Sequence, residues 1–165
     1  AGKNGYRFYD DLDESRCIEA VCDRPQCSLE EITSNLRERK MEGSFEVEYT
    51  NFENIYRFME RNLIRDRREV QCVLFTLEDH IDADEMLIQG QLEHLQHAVV
   101  SSLRKGDVTT KYSSTQVLAL LMDVNRENTD MVVNRILARY RAEAGKDVMH
   151  VLYDIQQLRD CREEG

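Results

Sequence analysis

Two hydrophobic rhythms alternate along this chain. In "GSFEVEY" the period is two: Phe45, Val47 and Tyr49 face one way and Ser44, Glu46 and Glu48 the other, which predicts a half-exposed strand. "TNFENIYRFMERNLIR" changes to helical spacing, with Phe52, Ile55, Tyr56, Met59 and Leu63 on one side and Thr50 and Glu53 placed as a capping box. "VQCVLFTL", Val70 to Leu77, is apolar on both faces and reads as a central strand. Leu87, Leu92, Leu95, Val99 and Leu103 form the buried stripe of a long helix, with Gly106 placed as its stop. Val108 to Tyr112 and Val117 to Met122 read as a hairpin. "NRENTDMVVNRILARYRAEAG" reads as a helix capped near Asn128 or Thr129 and stopped at Gly145. "DVMHVLYDI" is the last strand, and "QQLRDCREEG" has no assignment.

From Val70 onward the order is strand, helix, strand, strand, helix, strand. With both helices on one face of one antiparallel sheet, this is an α+β, ferredoxin-like βαββαβ core, extended by the preceding strand and helix. Before it, "SLEEITSNLRERK" opens with a capping box, Ser28 and Glu31, and sets Leu29, Ile32 and Leu36 along one side of a helix. A further short helix fits Asp13 to Cys22. The expected organisation is a linker with a helix over 1–42, a domain over 43–158 and a tail over 159–165.

Composition narrows the classes. A net charge of −10 over 165 residues argues against a nucleic-acid binder. No apolar run approaches the roughly 18 residues of a membrane span, and there is no signal-peptide pattern near Ala1. The odd set of cysteines (Cys17, Cys22, Cys27, Cys72 and Cys161) suits a reducing, cytoplasmic setting, and the first three lack zinc-knuckle spacing. The acidic cluster Glu78, Asp79, Asp82, Asp84 and Glu85 lacks the spacing and glycine of a calcium loop. His94 and His97, three apart on a helix, have no third ligand in view, and Arg61, Arg65, Arg67 and Arg68 form a basic helix end. No metal and no cofactor is expected.

The hairpin tip carries the sharper signal. "SLRKGDVTTKYSSTQVLALLMDVNRENTDMVVNRIL" resembles the second half of a GGDEF domain, the diguanylate cyclase fold. In that family an Arg-x-x-Asp sequence ends the long helix, and five residues later the Gly-Gly-Asp/Glu-Glu-Phe signature forms a hairpin tip. Here Arg104 and Asp107 fit the first motif, and Ser113, Ser114, Thr115, Gln116 and Val117 occupy the signature. The family's Asp-x-Asp pair, at the end of the central strand, corresponds to Thr76, Leu77 and Glu78. The resemblance covers roughly Ser44 to Leu158; the family's Leu-Thr-x-Leu-x-Asn-Arg entry motif is absent, and the loop after Glu78 is short.

What the resemblance implies is a site that joins two GTP molecules with carboxylate-held magnesium. Thr76 and Thr115 stand where it implies metal carboxylates, Glu78 is retained, Ser113 and Ser114 replace glycines beside phosphate, and Gln116 replaces an acid expected at guanine. The expectation is therefore a chain that is not an enzyme: an inactive output or interaction module of a bacterial regulatory protein, following a receiver or sensory domain and partnered by a second copy or another signalling domain. One alternative is a receptor for cyclic di-GMP or GTP that uses Arg104 and Asp107, where a guanidinium and a carboxylate could grip phosphate and guanine. The other is an active cyclase with displaced metal ligands.

Overall fold

The computed structural model describes residues 24–37, 42–78 and 82–159. The proposed helix over 13–22, Cys17, Cys22, Asp79 and Cys161 lie outside them. The chain divides into two units, Ala1–Lys40 and Met41–Gly165. In the first, α1 (Leu29–Leu36) starts on the expected capping box: Ser28 Oγ accepts from the Glu31 amide and the Glu31 carboxylate accepts from the Ser28 amide. Leu29, Ile32 and Leu36 are exposed along it.

The second unit is a five-stranded sheet of order β1-β3-β4-β2-β5. Its elements are β1 (Phe45–Glu46), α2 (Tyr49–Asp66), β2 (Val70–Leu77), α3 (Glu85–Ser102), β3 (Val108–Ser113), β4 (Gln116–Met122), α4 (Arg126–Ala144) and β5 (Val151–Gln157). β2 is central, antiparallel to β4 on one side and to β5 on the other. The βαββαβ core is as expected, and the strand–helix extension adds β1 in parallel to β3. Residue alternation sends Val73, Phe75 and Leu77 of β2 with Val117, Ala119 and Leu121 of β4 against α3 and α4. Val70, Leu120 and Val108 face α2 through Phe52, Met59 and Leu63.

Several boundaries move for local reasons. The extension strand is only Phe45–Glu46, because α2 begins at Tyr49; Glu48 is its N-cap without a side-chain bond, so the Thr50–Glu53 box does not form and Glu53 pairs with Arg57 at 2.9 Å instead. α3 ends at Ser102, and Gly106 is not its stop. α4 starts earlier than expected, on Asn125, whose Oδ1 accepts from the Asn128 amide at 2.7 Å. It does stop at Gly145, with φ of +68°, in the left-handed region that favours glycine. The last strand runs Val151–Gln157 rather than from Val148, because Met149 is held elsewhere: its amide donates to the buried Tyr140 hydroxyl at 3.0 Å. That hydroxyl in turn donates to Gln91 of α3 at 2.7 Å, tying both helices to the entry of β5. Gln156 and Gln157, left unassigned by the sequence pattern, pair with Cys72 and Gln71.

Gly43 has φ of +81°, and a Cβ there would strike the Val100 carbonyl, which accepts the Ser44 amide at 3.0 Å. Only glycine lets the chain enter β1 this close to α3.

Phe75 is fully buried whereas Leu74, on the α2 side of the same strand, is only half-buried. Phe75→Ala is expected to lower unfolding free energy by about 3–5 kcal/mol and Leu74→Ala by less than about 2 kcal/mol, because a half-covered leucine leaves little cavity. Urea denaturation of both variants measures the difference.

Candidate functional site

The hairpin tip turns without glycine. The non-glycine residues with positive φ among those described are Arg67 and Asp123, so neither Ser114 nor Thr115 adopts the backbone of a primed turn. A register shift between Lys111 and Ser113 supplies the twist instead. Side chains then fix the loop: the Thr115 amide donates to Ser113 Oγ at 3.3 Å, and Ser113 Oγ donates to Gln116 Oε1 at 3.0 Å.

Gln116 carries the network onward. Its Nε2 donates to Thr76 Oγ1 at 3.2 Å, and the Leu77 amide donates to the Thr115 carbonyl at 2.8 Å. The tip is thus bonded directly to the end of β2. One residue further, the Glu78 amide donates to the His150 carbonyl, and His150 Nδ1 lies 2.6 Å from Glu78 Oε2. The structure brings Thr76, Ser113, Thr115 and Gln116 together and sets Glu78 at the end of β2, bonded to His150 on the β5 side. Val117 points the other way, fully buried against α3 and α4. His150 was missed; its only signal was its place in the last apolar run, which an antiparallel pairing sets opposite Glu78.

The donor set does not fit a metal pair held by carboxylates. Thr76 and Thr115 offer hydroxyls, Thr76 already accepts from Gln116, and Glu78 is engaged by His150. Beside the tip, however, lies a cavity of about 540 Å³ lined by Lys111, Ser114 and Thr115 of the hairpin and by Glu85, Ile88, Gln89 and Leu92 of α3. Glu85 and Gln89 are one helical turn apart on the same side. Asp84 sets the start of this helix, its carboxylate accepting from the Leu87 amide at 2.7 Å.

Arg104 and Asp107 meet, 3.6 Å apart, at the far end of α3. Asp107 is 2 % exposed, and its carboxylate accepts from the Arg104 and Met122 amides at 2.9 and 3.0 Å. Arg104 donates to the Met122 carbonyl at 2.5 Å. The pair borders a cavity of about 290 Å³ together with Asp123, Asn128 and Arg135. Arg68 grips Asp123 with two bonds of 2.8 and 2.7 Å, and that hydrogen-bonded guanidinium holds the Asp123 carboxyl below its usual range. His97 lies 3.0 Å from Glu143 across α3 and α4, and the bond holds the Glu143 carboxyl below its usual range.

No protein-family model matches this sequence, and comparison with curated proteins returns no match. Solved structures do match. The diguanylate cyclase SiaD from Pseudomonas aeruginosa, solved in complex with its activator SiaC, superposes with a TM-score of 0.59 at 12% identity, covering 93% of this chain and 63% of that one. The FimX GGDEF domain from the same organism gives 0.51 at 13% identity, over 69% of this chain and 76% of that one. A DGC protein from Thermotoga maritima gives 0.49 at 11% identity, over 67% and 79%.

The domain thus has the GGDEF-type, diguanylate cyclase-like fold. The expectation that the chain is not an enzyme is corrected here: the fold it shares with SiaD is that of an enzyme.

Asp107→Ala strips the acceptor from two backbone amides and is expected to cost about 2–4 kcal/mol. Arg104→Ala, at a largely exposed guanidinium, is expected to cost less than about 1 kcal/mol. Chemical denaturation of the two variants side by side checks that the buried carboxylate, not the ion pair, is what holds this corner.

Proposed function

We propose that this domain is a nucleotide-responsive output domain of a larger cytoplasmic regulatory protein, and that it takes a guanine nucleotide in the cavity beside the hairpin tip. The observation that carries the reading is the composition of that cavity's wall. A guanine edge presents N–H donors and one carbonyl; the Glu85 carboxylate accepts from the former and the Gln89 amide donates to the latter. Ile88 and Leu92 offer an apolar bed for the ring, and Lys111 on the opposite wall is the cation for phosphate. An adenine edge, with its acceptor facing the carboxylate, is disfavoured. SiaD's complex with an activator supports a partner protein as the other half of such a device.

A second reading, cyclic di-GMP at Arg104 and Asp107, is favoured by the cavity beside them and by Arg135 on its wall. Against it, both Asp107 oxygens are already committed to backbone amides. Among the described residues no helix is long and apolar enough to cross a membrane.

Calorimetry of the purified chain with GTP and Mg²⁺, ATP and Mg²⁺, and cyclic di-GMP separates these readings. GTP is expected to bind saturably and ATP at least tenfold more weakly. Glu85→Ala is expected to remove a charge-assisted hydrogen bond of about 1.5–3 kcal/mol, hence a tenfold or greater loss for GTP. Absence of saturable GTP binding overturns the first reading; cyclic di-GMP binding abolished by Arg104→Ala establishes the second. Chromatography of the same samples records any conversion of GTP.

A further inference from the structure

Strand β5 is an edge of the sheet, paired with β2 on one side only. Natural edges commonly carry lysine, proline or a bulge against stray pairing. Val151–Gln157 has neither lysine nor proline and runs in unbroken register with β2. The ladder fixes which groups face outward. The Glu78 amide donates to the His150 carbonyl at 2.8 Å and the Leu158 amide to the Val70 carbonyl at 2.9 Å. Even-numbered residues of β5 therefore turn their amides and carbonyls to β2, and odd-numbered ones turn theirs out. Two groups along this edge are claimed: the Ile155 carbonyl accepts from Arg126 at 3.5 Å, and just before the strand the Met149 amide donates to Tyr140. No bond among the described residues uses the outward amides and carbonyls of Val151 and Tyr153. The side chains there are open too, with Leu152 48% and Tyr153 38% exposed.

We propose that this edge pairs with the same edge of a second copy of the chain, antiparallel about a two-fold axis at Leu152, so that one sheet runs through both copies. The backbone selects the register. A two-fold at Leu152 sets Val151 against the second copy's Tyr153, and Tyr153 against its Val151, so the unclaimed groups satisfy one another. A centre at Val151 brings in the Met149 amide, and any centre from Tyr153 onward brings in the Ile155 carbonyl, both already bonded. The side chains agree with this choice. Leu152 meets Leu152 of the second copy, and Tyr153 meets a valine, an aromatic against a β-branched side chain. The strand's single charge, Asp154, falls opposite His150 of the second copy, which already faces Glu78 on its own sheet. A basic group thus meets an acidic one twice across the axis, whereas a centre at Asp154 would set the two carboxylates against each other. The contact is a short edge, smaller than a permanent dimer requires, so association falls in the micromolar to millimolar range.

The test joins sedimentation of the full chain over rising concentration with cross-linking at the axis. A reversible monomer–dimer equilibrium is expected. Leu152→Lys puts like charges face to face at the axis and is expected to weaken the dimer about tenfold or more, with the thermal midpoint of the dilute monomer unchanged. Residues paired without hydrogen bonds in an antiparallel ladder have Cα atoms about 4.5 Å apart, within disulfide reach. Under mild oxidation Leu152→Cys is therefore expected to form a disulfide between the two introduced thiols, located by peptide mass mapping, and Tyr153→Cys is not. Asp154→Asn is expected to weaken association. A chain that stays monomeric leaves the edge to an extended segment of another protein and overturns the proposal. So does a dimer indifferent to Leu152→Lys, cross-linking at Tyr153→Cys in preference to Leu152→Cys, or tighter association in Asp154→Asn.

Discussion

The corner at Asp107 holds the rest of this domain in register. Its buried carboxylate accepts from the amides of Arg104, just past the end of α3, and of Met122, at the end of β4. Its own carbonyl accepts the amide of Phe45, the first residue of β1, at 2.8 Å. One residue therefore joins the helix that enters the hairpin, the strand that leaves it, and the extension strand that flanks it. A buried charge is tolerated there because backbone donors replace the water it loses, with Arg104 nearby. Since side chains alternate faces along a strand, a slip of one residue at this corner would turn Val117, Ala119 and Leu121 away from the core.

From that corner the hairpin runs out to a tip held only by small polar groups and by its bonds to β2. Ser113, Thr115 and Gln116 satisfy one another and Thr76. Hydroxyls and amides do this without the mutual repulsion that clustered carboxylates would bring unless a cation neutralised them. The tip is consequently a stable turn in its own right. Deeper in at this same end of the sheet, Tyr140 ties both helices to the entry of β5, its hydroxyl spanning Gln91 and Met149. Burial raises its pKa, so the hydroxyl keeps its proton through neutral pH, and donation to Gln91 persists.

Strong periodicity made the sheet legible. Val70–Leu77 is apolar on both faces because helices cover both, and its bounds in the structure are those read from the sequence. β5 was less legible for the opposite reason: it is an edge strand, with Asp154, Gln156 and Gln157 exposed, so its second half carries no apolar pattern. The two capping boxes looked alike in sequence, but only Ser28 and Glu31 form one, because at α2 the helix starts a residue before Thr50. The residues of the tip were legible from their spacing to Arg104 and Asp107. The cavity was not, since it needs Glu85 and Gln89 brought beside Lys111, and no local pattern encodes that meeting.

That meeting also determines what the tip can attract. The chain carries a net charge of −10, yet charges farther away than about 8 Å are largely screened at physiological salt. What a polyphosphate meets at the mouth is set by the nearest groups: the Lys111 ammonium against the Glu85 carboxylate, with hydroxyls at Ser114, where the family resemblance implies a glycine, and at Thr115, where it implies a metal carboxylate. Exchanging carboxylates for hydroxyls removes the repulsion that a metal ion would otherwise have to cancel. It also removes the ligands that would hold that ion, so any magnesium must arrive with the nucleotide rather than wait for it. The proposed site therefore depends on the base for most of its affinity, through Glu85 and Gln89, with Lys111 adding a salt-sensitive contribution at the phosphates.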